Sequence, residues 1–225
     1  MKRYDNIAVC LHGTADDDLG QLPAFPTDVK VTTFAHIVKN DPTESTGSIP
    51  QGINHYTWSI GHKITRYHLS DIIVHGHKIA DAFTNRHANR LTALHRSVLN
   101  KKSYEITHNQ RFDLVLVMSF RDLEHIKDKM RSVLVKRHML EWGGIVRSSL
   151  SKDHHSNGLW MIDESLFIGR SADIDTMSRL ALAYEDGTLW KMTSTVDLDP
   201  AYRSANLGAL LWKWASIRNI AIGGV

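Results

Sequence analysis

The sequence predicts an α/β fold, a mainly parallel central sheet flanked by helices, and three observations carry that prediction. Ile7-Ala8-Val9-Cys10-Leu11 and Leu114-Val115-Leu116-Val117-Met118 are continuous apolar runs, the pattern of strands buried on both faces. Each run ends in a polar stretch, His12-Gly13-Thr14 after the first and Ser119-Phe120-Arg121-Asp122 after the second. Segments with apolar residues at helical spacing follow, so strand and helix alternate along the chain.

Taken in order, the first strand is followed by a polar loop holding Asp16, Asp17, Asp18, Pro23 and Pro26, and then by a β-rich run from Val29 to Val38. Residues 40–54 are rich in Thr, Ser, Gly and Pro and read as a long loop. From about Ile79 to Thr107 the pattern is helical, with Leu91, Leu94, Val98 and Leu99 on one stripe and Arg90, Arg96 and Lys101 off it. After the central strand Phe112–Met118, a basic helical segment runs to Trp142 and ends at Gly143-Gly144. Residues 151–158 read as a polar loop. Leu159 to Glu164 reads as a strand with acids at its end, and Leu166 to Gly169 as a second apolar piece. Ser171, a good N-cap, opens a helix to about Glu185. The last helix holds Leu207, Leu210, Leu211 and Trp214, and 217–222 reads as a returning strand.

Composition sets outer bounds. At 225 residues the chain suits one domain spanning 1–225, and 42% apolar with 23% charged residues is ordinary for a folded protein. There is no apolar run of membrane-spanning length and no secretion-signal pattern at the start, so a cytoplasmic protein is expected. The single Cys10 lies in an apolar run and reads as buried filler. Net charge is only +3, but Lys and Arg cluster in 86–102 and 127–137, either as solvated helix faces or as phosphate-backbone contacts. The fourteen histidines show no zinc or metalloprotease spacing.

Ligands of such sheets collect outside the carboxyl ends of the strands. The candidate site residues are therefore His12, Gly13, Thr14, His36, Arg121, Asp122, Asp163 and Glu164. Gly13 lets backbone N–H groups approach a ligand, or simply makes a tight turn. Asp122 can hold a divalent ion bridging a diphosphate, or cap the helix that follows. Of Asp163 and Glu164, one can serve as general base or metal ligand beside a solvated neighbour. Trp58, Tyr56 and Tyr67 near Lys63 and Arg66 can stack a base and hold phosphates. There is neither a GxGxxG fingerprint nor a phosphate-binding P-loop.

In this order the pieces resemble the small GT-A-type glycosyltransferases that use nucleotide-diphosphate sugars. Ile7 to Gly13 is similar to that family's opening strand and glycine, and Phe34-Ala35-His36 to the end of its second strand. Phe112-Asp113 through Arg121-Asp122-Leu123 looks like its strand ending in an aspartate turn. Asp163-Glu164-Ser165-Leu166-Phe167-Ile168-Gly169 looks like its acid pair before a phenylalanine and a glycine. The resemblance implies a GT-A-like (Rossmann-like) mixed, mainly parallel sheet, with nucleotide near His12, Gly13, Thr14 and His36. It implies Asp122 beside the diphosphate and a divalent metal, manganese or magnesium, and Asp163 or Glu164 beside the acceptor. The family's arginines are replaced by Val117 to Phe120 and by Thr14-Ala15, so Lys63, Arg66 or Arg121 would have to hold the diphosphate. The implied activity moves a hexosyl or pentosyl group from a nucleotide-diphosphate donor to a hydroxyl acceptor, a glycan or a hydroxylated base in DNA. Two other classes stay open. One is a non-catalytic nucleic-acid-binding protein using segments 86–102 and 127–137. The other is a histidine-dependent metallohydrolase drawing on His12, His75-Gly76-His77 and His154-His155.

Overall fold

The structure is a computed structural model that describes residues 4–15, 17, 21–45, 49, 51–61, 73–74, 77–78, 85–135, 146–153, 159–186, 188 and 207–224. Nine strands appear among them: β1 Asn6–Thr14, β2 Lys30–Lys39, β3 His55–Ile60, β4 Ile73–Val74, β5 His77–Lys78, β6 Leu114–Ser119, β7 Val146–Asp153, β8 Leu159–Gly169 and β9 Ile222–Gly224. The helices whose bounds lie among the described residues are, in chain order, α1 Asn85–Thr107, α2 Leu123–Val135, α3 Ser171–Ser178, α4 Leu180–Glu185 and α5 Leu207–Ile217, and a 3₁₀ turn spans Phe120–Asp122.

Seven strands form one sheet in the order β3-β2-β1-β6-β8-β7-β9, and β4 pairs with β5 as a separate ribbon. The sheet is mixed and mainly parallel: β8 alone opposes its neighbours β6 and β7. The continuous apolar runs have the expected cause. On β1 and β6, Ala8, Cys10, Val115 and Val117 face α1, α3, α4 and α5, while Ile7, Val9, Leu11, Leu114, Leu116 and Met118 face α2. Both faces are covered, so no polar alternation survives. Each fully buried aliphatic side chain contributes about 1.5–3 kcal/mol to that burial. Cys10 is buried, and burial pushes its thiol up to about 12, as expected of filler.

The structure differs from the sequence reading at several elements. The acids Asp163-Glu164 do not end a strand; they lie inside β8, which runs unbroken from Leu159 to Gly169. Residues 151–153, read as loop, are strand. The helix expected over 171–185 is broken into α3 and α4, and Arg170, not Ser171, stands at its N-cap. Ser171 instead turns its hydroxyl inward to Glu105 and Lys101. The returning strand is Ile222–Gly224, sharing only Ile222 with the expected stretch 217–222. The chain from Asn40 to Asn54 contains no strand or helix among its described residues, in keeping with a loop.

Arg90 and Lys101, set off the apolar stripe of α1, are both buried. The reason is that α1 packs on β1 and β2 along one side and on α3 and α4 along another, so a single stripe does not define its covered surface. Lys101 is fully buried and ion-paired to Glu105 (3.0 Å) and Asp175 (2.7 Å). Segment 86–102 is therefore not one solvated basic face. No helix among the described residues is long and apolar enough to cross a membrane.

Candidate functional site

The chain leaves β1 for β2 and β3 on one side, then returns to place β6 on the other side of β1. The crevice between the carboxyl ends of β1 and β6 is thus a topological switch point, where sheets of this class hold ligands. Parallel register puts Thr57, His36, His12 and Ser119 in one row across β3, β2, β1 and β6 at that edge. The 3₁₀ turn carrying Arg121 and Asp122 follows immediately.

The acids reach the same edge by a different route. Because β8 opposes β6, with Met118 opposite Leu166, residues 163–165 lie just past the carboxyl end of β6. Pairing with β7 jumps there: Ser148 meets Phe167 but Leu150 meets Ile162. The extra β8 residues form a bulge, a device that re-aims side chains. Asp163 holds it together. Its Oδ1 accepts from the Ser165 N–H (3.0 Å) and the Ser165 hydroxyl, its N–H donates to Ser148 Oγ (3.0 Å), and its Oδ2 meets Lys129 Nζ at 3.1 Å.

Glu164 turns the other way, to α1. Its Oε1 accepts from Arg90 Nη1 at 3.2 Å, while its Oε2 and Arg90 Nη2 are buried with no hydrogen-bond partner among the described residues. Burial raises the Glu164 carboxyl above its usual range, with Arg90 opposing and Asp122 reinforcing the rise. The two adjacent acids therefore have distinct positions, Asp163 engaged in the bulge and Glu164 with one oxygen open.

His12 is 2% exposed, and neither ring nitrogen has a partner among the described residues. Burial, helped by the charge of Arg90, pushes it down to about 3, so it is neutral at pH 7. His36, pushed down to about 4 by burial and by Arg96, is also neutral, but its Nδ1 and Nε2 bond Thr57 Oγ1 (2.7 Å) and Ser59 Oγ (2.9 Å). His36 braces β2 against β3 and has no ring nitrogen left over.

Gly13 has a role that the sequence did not reveal. A Cβ there would stand 2.7 Å from Asp17 Oδ2 and 3.3 Å from Phe120. The missing side chain admits Asp17, whose carboxylate accepts from the Thr14 N–H at 2.7 Å. The N–H offered by that turn thus already carries an anionic oxygen. Asp122 is half-buried and Arg121 exposed. No group of three or more His, Cys, Asp or Glu suited to a metal occurs among the described residues. A divalent ion at Asp122 would therefore need phosphate oxygens of a ligand to complete its shell. Lys63, Arg66, Tyr67, His75, Gly76, His154 and His155 lie outside the described residues. Trp58 is half-exposed and carries Lys39 over its ring at 4.6 Å.

Sequence reasoning missed Arg90 as a site residue. Its one signal was position, within two turns of the start of a helix that begins at the ligand edge. No family model matches the chain, and a search of the curated proteins finds no match.

The buried histidines give a pH expectation. Their native values, about 3 and 4, lie below the ordinary 6.5, so the stability they contribute is present above pH 6.5 and is lost as pH falls toward 4 and 3. Each histidine steepens the loss by about 1.4 kcal/mol per pH unit within that window. Urea unfolding between pH 4 and 7 should show a shallower slope for His12→Asn/His36→Asn than for the wild type. An unchanged slope would mean that neither histidine resists protonation.

Proposed function

We propose that the protein is a GT-A-like glycosyltransferase that moves a sugar from a nucleotide-diphosphate donor to a hydroxyl acceptor. The observation that carries the reading is the shared edge: the ends of β1 and β6 flank a switch point, and the β8 bulge delivers Glu164 to it. This gives the ordered sequence pieces of the resemblance a common location.

In this reading the nucleotide lies at the end of β1, near His12, Gly13 and Thr14. Arg121 and Asp122 face the diphosphate, and a divalent ion held by Asp122 would neutralise charge on the departing diphosphate. Glu164 is the general base. Its raised carboxyl brings proton affinity closer to that of a hydroxyl under attack, which favours proton transfer in the transition state. Asp163 positions Glu164 through the bulge. The acceptor is a glycan or another hydroxyl-bearing molecule, with a hydroxylated DNA base as a further candidate.

The direct test is thermal unfolding with a panel of nucleotide-diphosphate sugars, with and without manganese. A matching donor at about 100 times its dissociation constant adds about 2.7 kcal/mol, which raises the melting temperature by roughly 5–10 °C for a chain of this size. No rise with any donor would remove the reading.

A further inference from the structure

Three side chains around the end of β1 carry buried, unpartnered polar atoms among the described residues: His12 with both ring nitrogens, Arg90 with Nη2 and Glu164 with Oε2. Two of them are nine-tenths or more buried, at 2% for His12 and 8% for Arg90. Leaving such atoms unpaired is costly, and unsatisfied groups gathered at one place need an explanation. They are also electrostatically joined. Arg90 bonds Glu164, and its charge acts on His12.

We propose that Arg90, Glu164 and His12 form a recognition site for two neighbouring hydroxyl groups of an uncharged sugar ring. The inventory of open atoms decides the ligand class. Arg90 Nη2 only donates, ionised Glu164 Oε2 only accepts, and a neutral imidazole offers one donor and one acceptor. A hydroxyl both donates and accepts, so a pair of hydroxyls can satisfy all of these groups. The diphosphate of a nucleotide sugar, esterified at both ends, carries no P–OH at neutral pH and only accepts, so it would leave the Glu164 oxygen and the accepting imidazole nitrogen unmet and would be repelled by the carboxylate. Arg90 is also already neutralised by Glu164 at 3.2 Å, so it offers geometry rather than net positive charge. Arg90 accordingly does not take over from the absent family arginines as a diphosphate ligand.

This inference rests on the transferase reading only for which ring is bound: the ribose of the nucleotide, the transferred sugar or an acceptor sugar. Calorimetric titration separates them. The probes are UDP, GDP and CDP, their 2′-deoxy analogues, their glucose conjugates, methyl glucoside and inorganic pyrophosphate. The proteins are the wild type, Arg90→Met/Glu164→Met and His12→Phe. The double variant removes both charges together, which spares the fold an unpaired buried ion, and each variant's melting temperature is recorded alongside. Loss of a hydrogen bond to a charged group weakens binding by about tenfold or more.

The expected result is a loss of at least tenfold for one hydroxylated class, with pyrophosphate unchanged. Loss for the nucleotides but not their 2′-deoxy analogues identifies the ribose, and then Glu164, whose one open oxygen the ribose takes, is not the base. Loss for the glucose conjugates alone identifies the transferred sugar, and loss for methyl glucoside identifies an acceptor. An equal loss for pyrophosphate overturns the proposal by making Arg90 a phosphate ligand, and so does unchanged binding of every probe. If no nucleotide binds the wild type but methyl glucoside does, and the variants abolish it, the donor reading falls and the hydroxyl site stands. Failure of the wild type to bind any probe defeats both.

Discussion

Lys101→Met lowers folding stability by about 3–5 kcal/mol, a fall in melting temperature on the order of 10 °C. The cause is the company that the lysine keeps. Its side chain is fully buried and its ammonium donates to Glu105 Oε2, Asp175 Oδ1 and Ser171 Oγ. Glu105 also accepts from the Phe112 N–H at 3.0 Å and from the Ser171 hydroxyl at 2.9 Å. The cluster thereby fastens α1 to the start of α3 and to the chain entering β6. Methionine fills most of the lysine's volume but leaves two carboxylates facing each other in a poorly solvated space. Adding Glu105→Gln and Asp175→Asn to Lys101→Met should restore much of the loss, because the unpaired charges then disappear. A single variant that melts within about 2 °C of the wild type would show that the network contributes little.

Glu164→Gln lowers turnover by about 10²–10⁴-fold, the usual contribution of a positioned general base. Donor hydrolysis serves as the readout for whichever nucleotide sugar stabilises the protein. The wild-type rate should climb with pH as Glu164 loses its proton, with a midpoint above the ordinary glutamate range because burial raises it. The Gln variant should lose that limb. Asp163→Asn is the informative neighbour. It weakens acceptance from the Ser165 N–H and hydroxyl and the pair with Lys129, yet removes no open acceptor. Its effect should fall mainly on melting temperature and only modestly on rate. Equal rate losses for both variants, or a pH limb that survives in Glu164→Gln, would remove Glu164 from the role of base.

Much of the fold was legible because burial on both faces leaves a plain signature. The runs in β1 and β6 could be read as central strands, and their polar ends as the ligand edge, without knowing their partners. The mainly parallel sheet was legible from the alternation of strand and helix, and β1 and β6 do pair in parallel. The antiparallel β8 was not, since its apolar residues read the same whichever way the strand runs. The acids Asp163-Glu164 read as the end of one strand before a second apolar piece, whereas β8 runs through them with a bulge. β3 escaped notice although Tyr56, Trp58 and Ile60 alternate with polar residues, the period of a half-exposed edge strand. Arg90 was hidden for another reason. Helical periodicity locates the widest apolar stripe, but α1 touches the sheet and two helices at once, so polar residues beside the stripe are also covered.

The placement of Glu164 inside a paired strand has an effect on how this molecule tolerates change. Residues on loops drift when insertions or deletions accumulate, because loop length is cheap to alter. Here the neighbouring β8 residues are locked to β6 and β7, so loop-length variation elsewhere leaves Glu164 where it is. Deletion of Ser165 or Leu166 would exchange the faces of the preceding residues, bringing Asp163 toward α1 and sending Glu164 toward α2. The acid is sheltered from gradual drift and exposed to a single slip of register.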